Sequence, residues 1–204
     1  KKKIKLKGDK SLSKRDFLRI TKPLEKFGAK FNTNDGKLPI TIYGTNFSKP
    51  IKYYETKGSA QCKSSVMLAA LNTKGETIIK AKKSRDHTEL LFKYLKIPIK
   101  IKKKKNYDLI KIEGGKKIKP IIYKIPSDIS SSAFFIVLTL LSKNSKLKIK
   151  NININPSRIG VIKILKMMGA SIVFKNIKIY KGERIADIHI KSSKNFNSIN
   201  CPKK

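Results

Sequence analysis

Two stretches of this sequence, SSVMLAAL (Ser64–Leu71) and AFFIVLTLL (Ala133–Leu141), carry no charged residue, although lysine and arginine fill 49 of the 204 positions. Wound as helices, neither has a polar side to give to water, and a helix that is apolar all round has to be enclosed. The strand-like segments read the opposite way. IPIKIKKKK, KLKIKNININ, VFKNIKIY and ADIHIKSS alternate apolar residues with lysine or asparagine, the period-two pattern of a sheet with one dry and one wet face. Strands sandwiched between helices would be continuously apolar instead. The combination predicts an inside-out α/β fold, helices within and sheets facing water.

These segments recur. Arginine opens a helical pattern at Ser13–Phe31, at Ser84–Ile99 and at Pro156–Phe174; Arg15 and Arg85 lie 70 positions apart, Arg85 and Arg158 73. Between them fall the two uncharged helices, whose ends Leu71 and Leu141 are again 70 apart and run into the strands TIIK and LKIK. The repeating unit is therefore two helices and several strands in about 70 residues, longer than the common solenoid periods.

Composition narrows the function. The net charge of +36 invites a nucleic-acid reading. Only five of the 49 basic residues are arginine, however, and the lysines spread over the whole length beside much isoleucine and asparagine. A polyanion binder concentrates charge on one face and uses the arginine fork, so the charge reads as compositional. Cys62 and Cys201 have no metal-type spacing, which suits a reduced cytoplasmic protein. No export signal is present, and Ala133–Leu141 is far short of the roughly 20 apolar residues that span a bilayer. KKKIKLKGDK alternates like a strand already in progress, so the chain is expected to begin inside a domain.

The start of the first uncharged helix is the candidate binding site. A helix N-terminus leaves backbone N–H groups unpaired and carries the positive end of the dipole. Gly58 allows close approach, Ser59 offers a hydroxyl and Gln61 can donate and accept; a plain serine cap with nothing bound is the competing reading. Arg15, Arg85 and Arg158 stand at helix starts, where a cation opposes the dipole. That points to an anion held in common, against salt bridges to 13 acidic residues. His87 reads as a structural hydrogen-bonding residue, His189 as a surface strand residue, Cys62 as a buried small residue and Lys100–Lys105 as a solvated strand edge.

Ser-Ala-Gln-x-Lys-Ser ahead of the helix, Ser-Arg-Asp-His-Thr-Glu (Ser84–Glu89), Pro-x-Asp-Ile-Ser-Ser-x-Ala-Phe-Phe (Pro126–Phe135), Asn-Pro-x-Arg-x-Gly (Asn155–Gly160) and Met-Gly-Ala (Met168–Ala170) follow in order along the chain. Together they resemble the 5-enolpyruvylshikimate-3-phosphate synthases, and the Ser-Ala-Gln and Arg-Asp-His-Thr-Glu forms resemble their glyphosate-tolerant class. The resemblance implies a two-domain inside-out α/β barrel of repeated βαβαββ units, incomplete here, with residues 1–126 in the first domain, 127–204 in the second and a hinge near Pro126–Asp128. It implies transfer of the enolpyruvyl group of phosphoenolpyruvate to shikimate 3-phosphate, without cofactor or metal. It gives Ser59, Ala60, Gln61 and Arg85 to shikimate 3-phosphate, and Arg15 and Gln61 to phosphoenolpyruvate. A cytoplasmic monomer acting on small molecules, with neither nucleic acid nor membrane as partner, follows from the same resemblance. The cell-wall enolpyruvyl transferases share the fold, and a basic nucleic-acid-binding module is the reading from another class.

Two positions depart from the family pattern: Asp16 stands where proline usually follows the arginine, and Ser127 where the hinge usually has glycine. The family's amino-terminal phosphoenolpyruvate loops would precede Lys1, and its proposed general base would follow Lys204, so no catalytic residue is identified within the 204. The chain taken alone is thus expected to hold only part of each substrate's shell. Incubated with both substrates, it should release no phosphate above background; measurable turnover by these 204 residues would contradict that expectation.

Overall fold

A computed structural model describes residues 3–193 and 195–201. The chain divides into two compact units, Lys1–Lys119 and Pro120–Lys204, each with its own apolar core. No helix among the described residues is long and apolar enough to cross a membrane.

The first unit opens with β1 (Lys3–Leu6), a 3-10 turn (Leu12–Lys14), α1 (Leu18–Glu25), β2 (Lys30–Asn34) and β3 (Lys37–Tyr43). These strands form an antiparallel sheet in the order β1-β3-β2. It continues with β4 (Lys52–Glu55), α2 (Ala60–Leu71), β5 (Gly75–Lys82), α3 (His87–Tyr94), β6 (Ile99–Lys103) and β7 (Tyr107–Gly114), one whole βαβαββ unit. Its sheet runs β4-β5-β7-β6, parallel at β4–β5 and antiparallel elsewhere.

The second unit repeats the order with α4 (Ile129–Leu141), β8 (Lys146–Asn153), α5 (Gly160–Met167), β9 (Ile172–Tyr180) and β10 (Glu183–Lys191) in an antiparallel sheet β8-β10-β9. Its leading strand is reduced to a single parallel bridge, Ser127 to Ile152. The 70-residue spacing in the sequence is thus the spacing of one folded unit, with α1, α3 and α5 as successive second helices.

Alternation decides which way each strand faces. In β5 the buried Thr77, Ile79 and Ala81 alternate with less buried neighbours such as the exposed Lys80 and Lys82, and Ile79 pairs across the ladder with the fully buried Ile110 of β7. Against this dry face lie Val66, Met67 and Ala70 of α2, all fully buried. Lys100, Lys102 and Lys103 sit exposed on β6, an edge strand, as a solvated edge requires.

In the second unit Ile136 and Leu140 of α4 pack with Ile152, Ile162 and Ile188. Enclosure of α4 is only half achieved, because one three-stranded sheet covers one side of a helix. Phe134, Phe135, Leu138 and Leu141 remain 61–79% exposed on the other.

His189 is half-buried, on the strand face opposite the buried Ile188 and Ile190. It lies on β10, the central strand of its sheet, where neighbours cover both edges, and its Nε2 is enclosed without a hydrogen-bond partner. Two positions next carry much of the packing. Gly114 closes β7 against the end of α2, and a Cβ there would collide with the backbone carbonyls of Ala70 and Thr73. Asp187, buried, sits where β10 shifts register against both neighbours. Its carboxylate accepts the Asn151 N–H at 3.0 Å and the Asn176 amide at 3.0 Å, and both asparagines have φ of +51°. Those bonds, with the Lys148 ammonium at 3.4 Å, hold its pKa down to about 2. One carboxylate therefore pins the irregularities of three strands.

Gly114→Ala should lower the unfolding free energy by ~3 kcal/mol or more, since only backbone movement relieves the clash; chemical denaturation reads it. A folded pKa below the usual 3.8 means that Asp187 stabilises above pH ~3.8 and loses that contribution as pH falls toward 2. Asp187→Asn should accordingly flatten the acid limb of the thermal midpoint against pH while lowering it near neutrality.

Candidate functional site

The loop leading into α2 is fixed from below. Glu55, the buried last residue of β4, accepts the N–H of Lys57 at 3.0 Å and of Gly58 at 2.7 Å on its two carboxylate oxygens. Gly58 takes φ +71°, open to glycine at little cost. Burial foremost, then the neighbouring Cys62 and Glu55, push the Tyr53 hydroxyl up to about 12, so it stays protonated. Ser59 is extended and caps the helix, its Oγ accepting from the Cys62 N–H at 3.3 Å and its carbonyl from the Lys63 N–H at 3.1 Å. Ser59 is thus the helix cap, and helix geometry leaves the Ala60 and Gln61 N–H groups without intrahelical acceptors. Cys62 is buried and free.

Gln61 meets an arginine that the sequence reading passed over. Arg19 Nη2, from the first turn of α1, donates to Gln61 Oε1 at 2.8 Å. A guanidinium only donates, so the amide oxygen faces Arg19 and the NH2 group is left to donate elsewhere. Arg15 stands three residues ahead of α1, exposed, its N–H closing the 3-10 turn onto Leu12. Asp16 Oδ1 accepts the Leu18 N–H at 2.8 Å, so the residue in the proline position serves as an acidic cap on the start of α1.

Arg85, exposed, lies two residues ahead of α3, and its carbonyl accepts Lys63 Nζ at 2.8 Å. The same ammonium pairs with Glu89 Oε1 at 2.5 Å, with side chains 1% and 5% exposed. One residue on, the hydroxyls of Ser64 and Thr88 share a hydrogen at 2.7 Å. The first turns of α2 and α3 are therefore joined by a buried ion pair and two hydrogen bonds. Ser59, Ala60, Gln61 and the Arg85 backbone come together through these links; no contact links the Arg15 side chain to them among the described residues. Lys63 had one visible sign in the sequence: it is the single charge inside α2.

Arg158 has a different answer. Its Nη2 donates to Asp128 Oδ1 at 2.7 Å and Ser130 Oγ at 2.6 Å. Asp128 caps α4, accepting the Ser131 N–H at 3.0 Å. Burial pushes its carboxyl up, but hydrogen bonds from Ser131 and Ser130 and the charge of Arg158 outweigh this and leave it below the ordinary carboxylate range. The anion at Arg158 is the protein's own. Ser127, in the place of a family glycine, donates its hydroxyl to the Lys150 carbonyl at 3.3 Å. A cavity of about 480 Å³ in the second unit, lined by Lys124, Ser127, Lys150, Lys178 and Tyr180, contains none of the anion-site residues. Among the described residues no group of His, Cys, Asp and Glu could hold a metal ion.

The chain is 44% identical over 186 residues to the 3-phosphoshikimate 1-carboxyvinyltransferase of Ruthia magnifica, covering 91% of this chain and 42% of that protein. It is 44% identical over 190 residues to that of Petrotoga mobilis, covering 91% and 43%. The solved EPSP synthase of Acinetobacter baumannii superimposes with a TM-score of 0.80 at 40% identity over 98% of this chain and 45% of that one. The enolpyruvyl transferase NikO of Streptomyces tendae, 13% identical with a TM-score of 0.62, shares the fold. The chain spans less than half the length of these relatives. The family model for EPSP synthase (3-phosphoshikimate 1-carboxyvinyltransferase) matches residues 1–199, and the chain belongs to that family.

Proposed function

We propose that the full protein carrying this chain transfers the enolpyruvyl group of phosphoenolpyruvate to the 5-hydroxyl of shikimate 3-phosphate. The hydroxyl oxygen adds to C2 of phosphoenolpyruvate, and the tetrahedral adduct then eliminates inorganic phosphate. The observation that carries this reading is the braced first turn of α2 beside Arg85, in a chain of this family. Two orphan N–H groups, the Gln61 amide NH2 and a guanidinium make a set rich in donors, which suits phosphate and carboxylate oxygens.

In this reading Ser59, Ala60, Gln61 and Arg85 hold shikimate 3-phosphate, while Arg15 and Gln61 hold phosphoenolpyruvate. Their work is positioning and charge stabilisation. The proton-transfer groups belong to the rest of the protein. Residues 1–126 and 127–204 then belong to two domains that close about Pro126–Asp128. The Ser-Ala-Gln and Arg-Asp-His-Thr-Glu forms favour the glyphosate-tolerant class, and a cytoplasmic monomer is the expected state. Neither the cell-wall transferase reading nor the nucleic-acid reading has an observation of its own behind it.

Loss of a charge-assisted contact of ~1.5–3 kcal/mol means that Arg85→Ala, in the full-length protein, should raise the KM for shikimate 3-phosphate by about tenfold or more. Steady-state kinetics with phosphoenolpyruvate saturating measure it. An unchanged KM would make Arg85 structural, and absence of phosphate release by the unaltered full-length protein would overturn the proposed reaction.

A further inference from the structure

Lys63 is the single charged residue of α2 and the single basic residue buried among the described ones. It touches both halves of the candidate anion site through its two ends. Its backbone N–H donates to the Ser59 carbonyl at 3.1 Å, in the turn that carries Ser59, Ala60 and Gln61. Its ammonium, at the far end of the side chain, donates to the Arg85 carbonyl at 2.8 Å. Residues 83–86 form neither helix nor strand, so this bond anchors the point from which the Arg85 side chain departs. Glu89 Oε1, at 2.5 Å, balances the buried charge, while Glu89 Oε2 has no partner.

A buried ion pair contributes little net stability compared with well-packed apolar residues of similar size. A leucine or methionine here would fill the space, but it would leave the Arg85 carbonyl unheld. The pair is therefore poorly explained by stability and well explained by position.

We propose that Lys63 is a positioning residue for the bound phosphorylated substrate: it fixes the Arg85 guanidinium relative to the first turn of α2, with Glu89 as its counter-charge. This rests on the reading of that turn and Arg85 as the shikimate 3-phosphate site. The consequence is specific, because a misplaced guanidinium weakens capture of one substrate without removing any group that contacts it.

The test replaces the pair with apolar residues, Lys63→Met together with Glu89→Leu, in the full-length protein. The KM for shikimate 3-phosphate should rise ~10-fold or more, with kcat and the KM for phosphoenolpyruvate changed by less than about threefold, as expected when binding geometry rather than chemistry is lost. In an Arg85→Ala background the same replacement should add nothing further, because Lys63 acts through Arg85. A folded double variant with an unchanged KM, or one that loses kcat alone, overturns the proposal.

If the unaltered protein shows no saturable dependence on shikimate 3-phosphate, the function reading fails before the positioning question is reached. Should the double variant not fold, hydrogen exchange of the unaltered protein decides. Residues 58–64 and 84–89 should open together and be protected together by shikimate 3-phosphate, and independent opening refutes the link.

Discussion

Most carboxylates taken out of water in this chain meet a cation or N–H donors, which offset the cost of burial; the buried Asp108, whose Oδ1 has no partner, stands outside that pattern. Five of the 13 acidic residues are buried, against Lys63 alone of the described basic ones. Glu55 ties down the loop before α2, Glu89 holds Lys63, Asp187 pins the irregular strands of the second sheet, and Glu183 takes the Asn153 amide at 3.0 Å. Each sits where a regular element begins, ends or slips. Scarcity makes those positions informative.

That placement also separates two repeats of one fold. The two largely apolar helices follow the same order of elements and each packs on the sheet of its own unit, yet their first turns are finished differently. At α4 the acid is the cap itself, and Asp128 absorbs Arg158. At α2 the cap is a neutral serine, the acid lies beneath the loop in Glu55, and the second helix is tied on through Lys63. The helix end therefore keeps its positive field where no carboxylate has been set in front of it.

Much of the architecture was legible in the residues. Period-two lysine strands and uncharged helices gave the α/β layering, and the 70-residue spacing matched one βαβαββ unit. These signals are local, repeated and driven by burial, which is why a single sequence carries them. The half-bare side of α4 was not legible, because hydropathy says that a surface needs cover without saying which element supplies it. The arginines divided the same way. Position at a helix start singled out Arg15, Arg85 and Arg158, but which side chain reaches which partner depends on how helices cross: Arg19, one turn further on, meets Gln61, and Arg158 finds Asp128. Lys63 to Glu89 spans 26 positions, a pairing no local pattern encodes. The alternation placed His189 opposite the buried Ile188 and Ile190 and left its degree of exposure open, since that depends on what covers the outer face.

The contact between Arg19 and Gln61 changes what kind of surface the first turn of α2 can be. A glutamine left to itself is ambidextrous, able to flip and welcome either a lone pair or a proton. With one lone pair of its oxygen taken by a guanidinium that has none to return, the residue is weighted toward donating. What remains beside the unpaired N–H groups is a surface weighted toward donors, which suits an oxyanion better than an ammonium group seeking an acceptor. That bias comes from a side chain on the neighbouring helix, Arg19 of α1.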